Sequence, residues 1–145
     1  MYLVDTNVLS AGAPTKAAPA HDLIGWMERQ SASLHLSVVT IAEIEDGIAK
    51  SRREGATRKA QRLSEWLETL LHLYAAQILP VDLAVARGIG QLSDRARGLG
   101  YAPGLADLAI AATAQHFGWT VLTRNLRHFT PLGVPAHDPF TALPS

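Results

Sequence analysis

The chain alternates short apolar runs with longer stretches in which apolar residues recur every three or four positions. The short runs suit buried strands and the longer stretches suit amphipathic helices. Tyr2-Leu3-Val4 is a first strand, cut off by Asp5, and a helical pattern opens at Val8-Leu9. Ser10 to Ala20 (SAGAPTKAAPA) consists mainly of small residues and prolines and reads as a loop. His21 to Arg29 places Leu23, Ile24, Trp26 and Met27 at helical spacing. Leu34 to Val39 is a second strand, alternating at first and then β-branched. Thr40-Ile41-Ala42-Glu43 has the form of a capping box. It opens a helix through Ile44 and Ile48 to about Arg53, and Gly55 breaks the pattern. Glu45 and Asp46 fall on the solvent side of that helix.

Thr57 to Tyr74 is the longest periodic segment, with Leu63, Leu67, Leu70, Leu71 and Tyr74 as its apolar stripe and Trp66 beside it. Ile78 to Val81 is a short strand weakened by Pro80. Asp82 caps the next helix, with Leu83, Val85, Ala86, Ile89 and Leu92 inward, and Gly98 and Gly100 end it. Tyr101 to Gly104 is a turn. Leu105 to Ala114 (LADLAIAATA) is apolar nearly all round, as in a helix packed in the middle of a domain, and Asp107 is its one charge. Thr120 to Thr123 is a further strand, followed by Arg124-Asn125. Leu126 to Phe129 is a turn or short helix, Val134 to His137 a last edge strand, and Pro139 to Ser145 a tail.

This alternation predicts an α/β fold of three layers: one domain over residues 1–145, with a mostly parallel sheet covered by helices on both faces. Parallel strands share a carboxyl edge, and ligands bind there in open α/β sheets. Asp5 ends one strand, Glu43 opens the helix after another, and Asn125 follows a third. Asp107 joins them if its helix starts at the same edge. Each acid also has a structural explanation, as a helix cap or a first-turn acid. Together, without a cation, they would repel and their pKa values would rise. Oxygen donors of this kind suit Mg²⁺ or Mn²⁺, and the chemistry implied is metal-assisted hydrolysis of a phosphodiester.

Composition narrows the picture. Hydrophobic residues make up 48% and charged residues 18%, which is globular rather than disordered. Thirteen basic and thirteen acidic side chains cancel, so no general grip on nucleic acid shows in the total. Arg52, Arg53, Arg58, Lys59 and Arg62 form a basic concentration, read first as a solvated face and second as an RNA contact. The lack of cysteine excludes disulfides and thiolate metal sites and agrees with a reducing compartment. No secretory pattern opens the chain, and no apolar run approaches the roughly 20 residues of a membrane helix. The expected location is the cytoplasm.

In order and content, YLVDTNVLS, SVVTIAEIEDGI, GLADLAIAATA and VLTRNLRHF resemble the PIN-domain family, particularly the VapC/FitB-like toxins of bacterial toxin–antitoxin pairs. The resemblance spans nearly the whole chain. It implies a five-stranded parallel sheet and an Mg²⁺- or Mn²⁺-dependent endoribonuclease. The family's catalytic, metal-holding acids match Asp5, Glu43 and Asp107, and Thr6 matches a motif hydroxyl that orients the site. The family's fourth acidic position falls near Asn125, which brings no charge, and a nearby position often acidic in relatives is His128. One metal ion or two therefore stays open. Asn125 is expected to position water or ion, and Arg124 and Arg127 to hold the RNA backbone. The resemblance also implies a homodimer and a cognate VapB-like antitoxin. That antitoxin would lie in a groove between the Trp66-bearing helix and the helix of Glu43.

Two alternatives accompany this reading. One is a catalytically silent PIN-like module that binds RNA or protein, motivated by the missing fourth acid. The other is a different Mg²⁺-dependent phosphotransfer protein. Against it, Asp5-Thr6-Asn7 lacks the second Asp of a haloacid-dehalogenase-type opening, no Gly-rich phosphate loop occurs, and no lysine follows Lys59.

Overall fold

A computed structural model describes residues 1–145. Its five strands are β1 (Tyr2–Val4), β2 (Leu34–Ser37), β3 (Ile78–Leu79), β4 (Thr120–Leu122) and β5 (Ala136–His137). They lie in the order β3-β2-β1-β4-β5, and every neighbouring pair is parallel. The first strand of the chain is thus the central one, with Leu3 opposite His35 on one side and Val121 on the other.

The strands are two to four residues long; the three central ones are buried and the two edge ones half-buried, and alternate side chains serve different cores. Val4, Leu34, Leu36 and Leu122 face a cluster built with α1 (Thr6–Leu9), α2 (His21–Arg29), α3 (Val38–Arg53) and α4 (Thr57–Leu73). Leu3 and Val121 face the other cluster, built with α5 (Leu83–Gly98), α6 (Leu105–Phe117) and α7 (Leu126–Phe129). The expected three layers are present. At the amino edge, the His35 ring stacks on Trp119 at 4.1 Å and Trp119 on Phe117 at 4.5 Å.

Helix α6 is the buried one that its composition predicts: Leu108 to Ala114 are all inaccessible. Its alanines let α5 approach closely. A Cβ at Gly88 would stand 3.3 Å from the Ala112 Cβ, so the missing side chain sets the spacing of the pair. The helix continues past the expected Ala114 to Phe117 and ends at Gly118, whose φ of 71° is left-handed. Glycine takes that cap without the steric cost of a Cβ.

Other boundaries also differ from expectation. The second strand stops at Ser37 rather than Val39, and Ser37 caps α3, its Oγ accepting from the Val39 N–H at 3.1 Å. The Thr40–Glu43 capping box does not form, because both residues already lie within the helix. Strand β3 ends before Pro80, which has no N–H for the ladder. Asp82 caps α5 as expected, its Oδ1 accepting from the Val85 N–H at 2.9 Å. Leu83 and Ala86, read as inward, are exposed, while Val85, Leu92 and Ala96 fill the core. No helix is long and apolar enough to cross a membrane.

Candidate active site

Every strand of a parallel sheet delivers its carboxyl end to one rim. At the centre of that rim, the Asp5 main-chain N–H donates to Leu122 O at 2.9 Å, which fixes its Cα one step beyond the β1–β4 ladder. The side chain is 5% exposed. Its Oδ1 accepts from the Thr6 N–H at 2.8 Å, opening α1. Oδ2 accepts from Thr123 Oγ1 at 2.8 Å and from Asn7 Nδ2 at 3.2 Å. The capping role allowed for Asp5 is therefore real, but it occupies only one of the two carboxylate oxygens.

The environment of Asp5 opposes its charge. Burial raises its pKa above the usual carboxylate value, the Thr123 and Thr6 hydrogen bonds lower it, and the Asp107 and Glu43 charges raise it again. The outcome is a raised pKa. The two other expected acids are thus close enough to be felt, although they arrive from α3 and α6. No cationic side chain pairs with Asp5. A buried carboxylate with two like-charged neighbours and no counter-charge suits a hard divalent cation, which would relieve both the repulsion and the burial.

Two of the acids are engaged elsewhere. Thr6 Oγ1 donates to Glu43 Oε1 at 2.6 Å and lies 3.3 Å from Thr40 Oγ1. Asp107 Oδ2 lies 2.8 Å from His128 Nδ1, yet Nδ1 has no partner with hydrogen-bond geometry. The two atoms are close but not aligned for a hydrogen bond. With Glu43 and Asp107 so placed, no three of the His, Asp and Glu side chains gather into a cage for an ion. The three acids share the rim without gathering into an ion-sized cluster.

Asn125 is half-buried beside these acids, but it is its main chain that joins the network: the N–H donates to Thr123 Oγ1 at 2.9 Å. Arg124 and Arg127 are both exposed. The Arg124 N–H donates to Asn7 Oδ1 at 3.1 Å, which places that residue at the rim.

Three residues that the sequence does not mark as site residues belong to this network: Asn7, Thr40 and Thr123. Thr123 is fully buried and links Asp5 to Asn125 through a single hydroxyl. Its signal was the parallel between VDTN and LTRN, each an apolar strand ending in small polar residues. Thr40 carries none, because in the sequence it stands where a helix cap would.

Two depressions share Trp66 as a wall, and one of them reaches the rim. One, of about 330 Å³, runs from Thr6 and Glu43 past Lys16, Lys50 and Lys59. The other, of about 470 Å³, is apolar and lies between α2 and α4, lined by Ile24, Met27, Leu70, Leu73 and Tyr74.

An all-parallel α/β sheet with three acids from separate elements around the end of its central strand defines an α/β protein with an oxygen-donor site at its carboxyl edge. The chain belongs to the PIN-domain family, whose profile matches residues 2–130. It is 34% identical over 142 residues to the toxin FitB of Neisseria gonorrhoeae, covering 97% of this chain and 99% of that protein. It is 33% identical to the VapC ribonuclease Y4jK of Sinorhizobium fredii, with 97% and 98% covered. It is also 33% identical to the plasmid stability protein StbB of Pseudomonas syringae pv. tomato, with 98% and 100% covered. Among solved structures, the FitAcB crystal structure from N. gonorrhoeae superposes with a TM-score of 0.84 at 34% identity, covering 97% of this chain and 99% of that one.

Proposed function

We propose that this chain is the endoribonuclease toxin of a VapBC-type toxin–antitoxin pair, acting in the cytoplasm on RNA phosphodiesters. Ribonucleases and a toxin among its relatives, matched over nearly their full lengths, support the class. The observation that carries the site is Asp5: buried, without a cationic partner, and pushed toward protonation by burial and by Asp107 and Glu43.

Asp5, Glu43 and Asp107 are the residues that would hold Mg²⁺ or Mn²⁺. Such an ion supplies an activated water and neutralises charge on the phosphate. Thr6 orients Glu43 through its hydroxyl, and Asn125, tied to Asp5 through Thr123, positions water at the rim. Arg124 and Arg127 hold the RNA backbone as exposed cations. The antitoxin's seat is the pair of depressions around Trp66, one apolar and one lined by lysines and running to Glu43. A second copy of the chain covers the apolar rim residues Val38, Val81, Leu83 and Leu105, all exposed where the chain leaves β2 or β3 or enters α6.

Cleavage of a labelled RNA, assayed with Mg²⁺ or Mn²⁺ and with EDTA, tests this reading. The parent cuts only with the ion, and Asp5→Asn slows cutting by about a hundredfold or more while the circular dichroism spectrum is kept. An Asp5→Asn protein that cuts as fast as the parent overturns the assignment. The uncharged Asn125 favours one other reading, a silent RNA- or protein-binding module. Calorimetry that detects no metal binding, alongside no cleavage, would select it.

A further inference from the structure

Arg124 carries its charge without an acidic partner, since none of the ion pairs in the molecule includes it. Instead its guanidinium carbon stands 4.3 Å from the centre of the Phe140 ring. The two residues come from different parts of the fold. Arg124 follows β4, and its main-chain N–H is held by Asn7, the same residue whose amide reaches Asp5. Phe140 belongs to the tail, where a turn fixes it. The Phe140 N–H donates to Asp138 Oδ1, and Thr141 Oγ1 donates to Asp138 O, both at 2.9 Å. The ring packs against the α1–α4 core, and Pro139 beside it is buried.

The choice of partner has a chemical consequence. A carboxylate would orient a guanidinium but also neutralise it and consume its donors. An aromatic face attracts the cation through the ring quadrupole and leaves the N–H groups at the edge free. An arginine held this way keeps its whole charge and its donor fork for a phosphate. An unheld arginine would lose side-chain entropy on binding instead.

We propose that Phe140 is a positioning residue of the RNA-cutting reaction, holding the Arg124 guanidinium beside the Asp5 cluster as a ready-made clamp for the substrate backbone. This rests on the ribonuclease reading above. The tail is then part of the site rather than a trailing end. The competing role for the stack is mechanical, fastening the tail to the body of the protein.

Steady-state cleavage of a labelled single-stranded RNA with Mn²⁺, together with melting temperatures, separates the two. Phe140→Leu keeps the apolar contact and removes the ring face. It raises KM roughly two- to five-fold, the range of an exposed cation–π contact, and leaves kcat within about twofold. Phe140→Trp restores the parent KM. Arg124→Ala raises KM further, and Phe140→Leu adds nothing on that background. A Phe140→Leu protein with the parent KM overturns the proposal. So do effects of the two substitutions that simply multiply, or a KM rise that follows melting temperature and is not repaired by Trp. If the parent itself leaves RNA uncut with metal present, the ribonuclease reading falls and this proposal falls with it; a cutting parent with an indifferent Phe140 overturns the proposal alone.

Discussion

Asp5 is where three separate demands meet: it caps α1, it accepts from both Asn7 and Thr123, and it feels the charges of two other acids. Its raised pKa gives a signed prediction for the metal-free protein. A carboxyl group whose folded pKa lies above its unfolded value of 3.8 binds its proton more tightly when folded. Its contribution to stability is therefore greatest in acid and is lost as pH rises through the folded value. In EDTA, the melting temperature of Asp5→Asn minus that of the parent becomes more positive as pH rises above about 4, whatever offset the lost hydrogen bonds impose. Mn²⁺ reverses the order at neutral pH, stabilising the parent and not the variant. A difference that is flat with pH, measured by calorimetry, refutes the assignment. Asp107 is legible because a lone acid in an apolar helix has few ordinary explanations, whereas Asp5 alone reads as a helix cap, which it also is. Glu43 was legible only as one of a set, since alone it looked like a cap. Thr123 and Asn7 were not, because a buried hydroxyl or amide leaves no charge in an apolar pattern.

At the level of elements, the alternation of strands and helices along the chain follows from periodicity, the order of strands in the sheet does not, and the differences gather at boundaries. β-Branched Val38 and Val39 continue the strand pattern, yet Ser37 ends the strand by capping α3. A capping side chain competes with the ladder for the same backbone groups, and here it wins. The consequence is functional, since the register of α3 decides where Glu43 points. Ser37→Ala should cost about 1 kcal/mol, or a fall of roughly 3 °C in melting temperature. Thr40→Ala, if it were the cap, would do the same through loss of the cap. Its actual contact is with Thr6 Oγ1 at 3.3 Å. We expect Thr40→Ala to disturb cleavage more than a cap substitution does, and parallel melting and activity measurements on the two variants check this. Leu83 shows the other kind of error. Helical spacing assigned it inward, but at the first position of α5 it projects from the rim and is 77% exposed.

For the whole molecule, Leu83 and Leu105, 77% and 71% exposed at the same rim, are the strongest reason to expect a second copy. The double variant Leu83→Asp/Leu105→Asp should run as a monomer in light scattering where the parent runs as a dimer, with an unchanged circular dichroism spectrum. A variant that still dimerises excludes this face. No sequence pattern marked the surface, because exposed leucine is legible only once the fold shows which way it points. The sheet also separates two interiors. One, with α2, α3 and α4, backs the Trp66 depressions, and the other, with α5, α6 and α7, backs Asp107. The two interiors share almost no side chains, so apolar substitutions on α2 and α4 are felt in one core and leave the packing around α6 as it was. Glu43 and Thr6 are the exception, since they line the Trp66 depression, and whatever fills that depression meets the acid cluster directly.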